Sequence, residues 1–345
     1  MKVRPPPARA FGYGRGVRLL GTNVTCDALG AAADLVFLSH AQALGPAGGR
    51  RFPLRRGGRQ ELLVTDTTLT LLGAAGERLR RHALPATFGR PFKLGEARLE
   101  LFPSGHLPGA ASLLVEMAGR QIVYAGTLRT ERPSLGATPC EVRRADAVCI
   151  DGTFGDPRFV LPPPEEALLA VRRFVEESAA AGRAPVLLTP SFSTAMDAAA
   201  SLAQAGVALR GHRAIVAAAT AFRAVGAKAP VIARFYGRLA ANEVLLWPPE
   251  ARDAPLLGAL GSPRFAFVSG FSLDPAALAQ VRADAGIALS NQSGYPQLLA
   301  YIAATGAREV AVHRGHADTL VAALTARGHD AYALGPPTQI ELFRG

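Results

Sequence analysis

Residues 104–116 read SGHLPGAASLLVE, which sets His106 in a Gly/Pro turn between two strand-like runs, ARLELFPSGH (97–106) and SLLVEMAG (112–119). Short apolar runs bounded by Gly, Pro or charged turns read as strands, several of them paired in hairpins. The pattern continues outward on both sides. Upstream lie VRLLGTNVTCD (17–27), ADLVFLSH (33–40), ELLVTD (61–66) and TLTLLG (68–73); downstream lie RQIVYAG (120–126) and DAVCI (146–150). The first part of the chain is therefore expected to be rich in strands.

The pattern changes near Pro162. The stretch PPPEEALLAVRRFVEESAAAG opens on prolines and acids and stops at Gly182, as a capped helix should. Strand-like APVLLTP (184–190), helical TAMDAAASLAQAG (194–206) and helical HRAIVAAATAFRAVG (212–226) follow. Such βα alternation predicts a small parallel sheet. After the strands NEVLLW (242–247) and RFAFVSG (264–270), the tail returns to strand and helix in GIALS, YPQLLAYIAATG, REVAVH, HADTLVAALTARG and DAYAL. One domain interrupted by another is the organisation this order suggests, with no internal repeat.

Composition narrows the function. Apolar residues make up 49% of the 345, enough for a sizeable core, and no apolar run has the length of a membrane span. The basic, Pro/Gly-rich start lacks the apolar stretch of a signal peptide, so a cytoplasmic location is expected. Cys26, Cys140 and Cys149 are too few for a disulfide framework and read as reduced thiols. A formal charge of +11 fits a polyanionic partner, because cationic surfaces gain affinity by releasing counterions from phosphates. The same charge also fits compositional drift, since lysine occurs only at Lys2, Lys93 and Lys228 among many Ala, Arg, Gly and Pro residues.

Five segments together carry a resemblance. LVFLSHAQALG (35–45) ends where a family motif reads His-x-His-x-Asp-His. SGHLPGAASLLVE is close to its Gly-His-x-x-Gly-Ser-Ala block, and IVYAGTLRTE (122–131) to its Tyr-x-Gly-Asp segment. VCIDGTFGDP (148–157) matches acidic-x-Thr-aromatic-Gly, and residues 287–316 match a stretch carrying Ser-Asp-His-Ala-Asp and later Thr-His-Gly. In order over about residues 17–330, the chain resembles the β-CASP nuclease branch of the metallo-β-lactamase fold, and is most similar to bacterial exonuclease-like proteins associated with DNA ligases. The resemblance implies an α/β fold: an αββα metallo-β-lactamase-type sandwich formed by residues 1–160 and 270–345, with an inserted α/β β-CASP domain at 161–269.

In that family imidazoles and carboxylates hold two zinc ions that activate a water and clamp a phosphodiester oxygen. Carried over residue by residue, the resemblance puts His40 and His106 at ligand positions. Gln42 stands for a histidine, Leu44 and Gly45 for the Asp-His pair, Thr127 for the bridging aspartate and Arg314 for the last ligand histidine; His313 reaches that place only with a one-residue shift. Gln292 takes the place of the general-acid histidine, while its carboxylate partner persists as Asp151. An amide is a poor zinc ligand, a guanidinium repels a dication, and Gln292 cannot deliver a proton.

No metal, cofactor or catalytic residue is therefore expected. His40, His106, Asp151 and Gln292 are read as vestiges, each with a plain structural role as the competing reading. Arg314 and His316 are the candidate phosphate contacts. The resemblance suggests Asp27 and Asp151 as the nearby acids, and Arg314 is expected to reach into the old metal pocket and pair with a carboxylate, Asp151 foremost, against an equal alternative of an exposed arginine on a loop. The partner is expected to be nucleic acid, DNA favoured over RNA, with an intact nuclease of the same family or a DNA ligase as further candidates and no membrane. Two alternatives stay open: an active, zinc-dependent exonuclease-like hydrolase with a rebuilt site, and a purely structural subunit.

Overall fold

The structure is a computed structural model and describes residues 9–28, 33–43 and 60–336. Among these the fold is α/β, with its strands in three sheets. The first sheet runs in chain order: β1 (Phe11–Tyr13), β2 (Val17–Leu19), β3 (Val24–Cys26), β4 (Leu35–Phe37), β5 (Glu61–Val64) and β6 (Ala83–Pro85). Between its last two strands lie α1 (Asp66–Leu71) and α2 (Ala74–Leu79). The first of these overturns the strand expected from TLTLLG. Thr65 caps it by accepting a hydrogen bond from the Thr68 amide, and Leu69 is buried. Four residues of Thr/Leu alternation satisfy either period, and the cap decides for helix.

The second sheet begins with an antiparallel meander, β7 (Phe92–Leu94), β8 (Ala97–Pro103), β9 (Ala111–Met117) and β10 (Arg120–Gly126), to which β11 (Ala147–Asp151) adds in parallel. The chain then leaves this sheet. It forms α3 (Pro164–Ala180), β12 (Ala184–Leu188), α4 (Phe192–Gln204), β13 (Ala208–Gly211), α5 (Arg213–Ala224), β14 (Ala233–Arg234), β15 (Glu243–Trp247), α6 (Pro255–Gly258), β16 (Pro263–Val268), α7 (Pro275–Val281) and β17 (Ala285–Ile287). These strands make the third, wholly parallel sheet, in the order β14-β13-β15-β12-β16-β17. A return to the earlier sheet at residue 270 was expected. It comes later, because β17 still pairs with β16 and Ile287 and Leu289 lie in the third sheet's core. A three-residue edge strand leaves no alternation to read.

The chain then re-enters the second sheet through α8 (Tyr295–Thr305), β18 (Glu309–His313), α9 (Ala317–Thr325) and β19 (Asp330–Leu334), with β18 pairing beside β11.

Strand parity builds the layers. On β11, Ala147 and Cys149 face a core shared with Cys26, Leu35 and Phe37 of the first sheet, while Val148 and Ile150 face Leu298, Ile302, Leu320 and Leu324 of α8 and α9. On the outer face of the first sheet, Val36, Leu62 and Val64 pack with Leu69 and Leu79 of α1 and α2. The order is helix, sheet, sheet, helix. Each fully buried Leu or Phe contributes about 1.5–3 kcal/mol. The third sheet is also covered on both faces, by α3, α4 and α5 on one side and α6 and α7 on the other. Strands buried on both faces read as near-continuous apolar runs, such as APVLL. Cys26 and Cys149 are buried between the first two sheets, and Cys140 is half-buried; all three are free thiols. No helix among the described residues is long and apolar enough to cross a membrane.

Candidate functional site

The same parity aims polar side chains at one end of the inter-sheet core. Asp151 lies two residues beyond Cys149 on β11, and His313 two beyond Ala311 on β18; the two are register partners. Tyr124 comes from β10. From the first sheet, Ser39 follows Phe37 by two and Asp27 follows Cys26 in a left-handed turn of φ 53°.

Asp27 organises this end. Its carboxylate accepts from the Ser39 amide (2.8 Å), the Ser39 hydroxyl (2.6 Å) and the Tyr124 hydroxyl (2.8 Å). Ser39 has given its one proton to the carboxylate, so its oxygen accepts at 2.7 Å from Nδ1–H of His40. Nδ1 of His106 faces the Asn291 carbonyl at 2.8 Å and must likewise be the donor. The two imidazoles meet edge to face, with ring centroids 4.6 Å apart, and both are buried. In each, Nε2 carries the lone pair. Burial holds His40 well below the ordinary histidine range and brings His106 down to about 4, while burial also lowers His313. All three are neutral at neutral pH.

Asp151 is 5% exposed and fully engaged. It accepts from the Thr127 hydroxyl (2.9 Å), the Thr153 amide (2.8 Å) and the Thr153 hydroxyl (2.5 Å). Burial opposes its ionisation, but His313, Arg314 and the Thr153 bonds outweigh it and hold the carboxyl below its usual range. Nη1 of Arg314 lies 3.6 Å from Oδ2 of Asp151, and Nη2 donates to the Ala43 carbonyl at 3.3 Å. The Arg314 side chain is 42% exposed. Its backbone, like that of Gly315, is left-handed, at φ 66° and 55°. A Cβ at Gly315 would stand 2.3 Å from Cα of Thr153, so only glycine lets the loop pack there. A cavity of about 610 Å³ opens on Asp27, Tyr124, His313 and Arg314.

The remaining candidates go elsewhere. His316 stands just before α9 without a capping hydrogen bond from its side chain, its ring 5.1 Å from that of Phe159 and its Nδ1 4.0 Å from Asp156. Gln292 lines a narrow crevice with Glu131, Leu161 and Pro162. The Gln42 amide oxygen accepts at 3.4 Å from Ser191, the capping residue of α4, and so touches the third sheet's helix layer. Leu44 and Gly45 lie outside the described residues. Among the described residues no three His, Cys, Asp or Glu side chains are grouped to hold a metal ion.

Sequence reasoning missed the residues that orient these groups. Ser39, Tyr124 and Asn291 sit inside the motif segments, but only their fold neighbours reveal what they bond. It also missed the tie to the third sheet. Arg129 pairs with Asp197 of α4 at 2.8 Å and donates to Ser134 at 2.8 Å, and Asp197 accepts from the Leu135 amide at 2.8 Å. Neither partner carries a local signal.

No protein-family model matches the chain. Over 285 residues, 82% of its length, the chain is 28% identical to a probable DNA ligase of Opitutus terrae, of which it covers 28%. A stretch of 75 residues, 22% of the chain, is 35% identical to Ribonuclease TTHA0252 of Thermus thermophilus, covering 17% of that protein. The chain thus matches 28% of the length of the first relative and 17% of the second.

Proposed function

We propose that the chain is a catalytically degenerate homologue of β-CASP metallo-nucleases that binds nucleic acid, DNA in preference to RNA, without hydrolysing it. The observation that carries this reading is Arg314, whose guanidinium stands 3.6 Å from Asp151 and is anchored on the Ala43 carbonyl. A fixed cation at the carboxylate supplies phosphate affinity without activating water. The likenesses to a DNA ligase and a ribonuclease and the charge of +11 support the class of partner.

The donor set does not fit a zinc pair. Thr127 spends its hydroxyl proton on Asp151, Arg314 brings positive charge to the same carboxylate, and the half-buried Gln292 carries no proton to a leaving group. In this reading the first two sheets form a metallo-β-lactamase-type sandwich domain, and the third sheet is a β-CASP-like insertion between β11 and β18. An intact nuclease or a DNA ligase is the proposed protein partner, in the cytoplasm.

The test combines nuclease assays on labelled single- and double-stranded oligonucleotides, with added zinc or manganese, and binding by fluorescence anisotropy. Binding without cleavage is expected; loss of general acid–base help alone removes roughly 10²–10⁴-fold in rate. Robust cleavage abolished by Asp151→Ala would overturn the reading.

One observation favours a second reading, an active metal-dependent hydrolase with a rebuilt site. His40 and His106 both have Nδ1 engaged and Nε2 bare, the state in which imidazoles bind zinc. Protein purified without chelator and analysed by mass spectrometry decides: one tightly held zinc per chain supports the hydrolase, and well under one removes it.

A further inference from the structure

Residues 198–242 contain no Asp or Glu but six Lys or Arg residues. Arg210 is spent on Glu243 at 2.6 Å. The structure gathers three others near the edge of the third sheet that β14 forms. Arg213 follows the carboxyl end of β13, Arg234 ends β14, and Arg238 lies in the loop beyond it. All three are exposed, and none makes an ion pair among the described residues.

Aromatic faces are interleaved with them. Tyr236, two residues past β14, is 76% exposed, and the Arg234 guanidinium lies 5.4 Å from its ring centroid. His212, at the end of β13, stacks edge to face on Trp247 at 4.8 Å. Burial, then Arg213, and further down Arg234, lower the His212 pKa, so both arginines stand close to it; Glu250 is the one acid that opposes them. The ring is uncharged near neutral pH.

A large tyrosine exposed in the loop after an edge strand is not there to fill a core. A planar face flanked by cations that lack carboxylate partners is complementary to a nucleobase and its phosphates. The patch lies at the carboxyl ends of β13 and β14, on the same side of the sheet as the carboxyl end of β12. The same edge leads toward the site already described. α4 follows β12, and its capping Ser191 touches Gln42. From β14 to β12 is three strand spacings, about 14 Å, a span of a few extended nucleotides.

We propose that the carboxyl edge at β13 and β14, with Arg213, Arg234, Arg238 and Tyr236, is a second nucleic-acid contact that takes single-stranded nucleic acid, one base stacked on Tyr236. The inference rests on the nucleic-acid reading above and adds a strand-selective surface outside the cavity that opens on Asp27, Tyr124, His313 and Arg314. A duplex keeps its base faces stacked internally and offers nothing for Tyr236 to cover.

The experiment measures fluorescence anisotropy of a labelled 20-nucleotide oligo-dT and of a 20-base-pair duplex across a salt series. It compares the full chain with Tyr236→Ala, Tyr236→Phe, Arg213→Ala/Arg234→Ala and Arg314→Ala. The single strand is expected to bind more tightly than the duplex. Tyr236→Ala should weaken it by about tenfold or more, with Tyr236→Phe near wild type. The double arginine variant should flatten the slope of log affinity against log salt by about 1.4, at roughly 0.7 per phosphate lost. Trp247 fluorescence reports that each variant is folded.

Unchanged single-strand binding in both Tyr236→Ala and the double variant, with Arg314→Ala weakened, overturns this surface and leaves the proposed function standing. Equal or tighter duplex binding overturns it as well. A wild-type chain that binds neither oligonucleotide removes both.

Discussion

Replacing Asp197 by alanine is expected to destabilise the protein more than almost any other single charge deletion. The Arg129 side chain is 3% exposed and that of Asp197 10%, so truncation leaves a guanidinium buried without its counter-charge. Breaking one side of a buried pair costs about 3–5 kcal/mol. The Leu135 amide loses its acceptor too, and a buried donor left unpaired costs about 1–3 kcal/mol. The two overlap, because the loop of residues 128–135 can relax and Arg129 keeps Ser134; about 4 kcal/mol is the working figure. That is a large share of the roughly 5–15 kcal/mol that holds a typical protein together. The assay is urea unfolding followed by Trp247, the only tryptophan, which is 3% exposed in the third sheet. With a denaturant slope of about 3 kcal/mol per molar, the midpoint should fall by about 1.3 M. Arg129→Met/Asp197→Leu should recover most of the loss, because it removes both charges together. A midpoint for Asp197→Ala within about 0.3 M of wild type, equivalent to about 1 kcal/mol at that slope, would refute the buried-pair argument.

Three other outcomes follow from the geometry. Arg314→Ala should change stability by no more than about 1 kcal/mol, since the side chain is 42% exposed and Asp151 keeps three closer hydrogen bonds; a calorimetric melt checks it. Gly315→Ala should cost about 2 kcal/mol or more, because a left-handed backbone and a 2.3 Å approach to Thr153 act together; a native-like melting temperature would contradict that. His106, lowered to about 4 by burial, binds fewer protons folded than unfolded, so its contribution is complete above the ordinary histidine range and is lost as pH falls toward 4. Between pH 7.5 and 5 it should remove about 2 kcal/mol, and His106→Gln, measured by unfolding at both pH values, should show a shallower decline.

Much of the fold was legible because its strands are buried on both faces. Runs such as AVCID, APVLL and EVAVH admit no amphipathic reading, and the capped helix from Pro164 announces itself through its prolines and acids. TLTLLG failed for want of length, since four alternating residues fit either period until Thr65 caps them. The span of the third sheet failed for a related reason, as AGI at its far edge is too short to alternate. At the site, the sequence brought His40, His106, Asp151 and Arg314 into one list because they fall in motif segments. It was silent on Asp27 holding Ser39 and Tyr124, and on Arg129 finding Asp197, since those contacts join strands or helices far apart in the chain. It also passed over His212, whose surroundings become informative only when β13 and β14 lie side by side.

The placement of the cysteines gives the molecule two natural clocks. Cys26 on the first sheet and Cys149 on the second are sealed in the seam between them, and burial pushes both thiols well above their ordinary range. A thiol reagent reaches them only when the sheets part, so under fast-labelling conditions their modification rate equals the opening rate of the sandwich. Cys140 lies outside that seam, half-buried on its loop, and burial pushes its thiol up to about 12, so it too reacts slowly while the chain is folded. Trp247 keeps time for the third sheet independently. An untagged chain therefore reports whether its two sheet systems open together or one before the other, and the order should reverse or merge when the Arg129–Asp197 tie is cut.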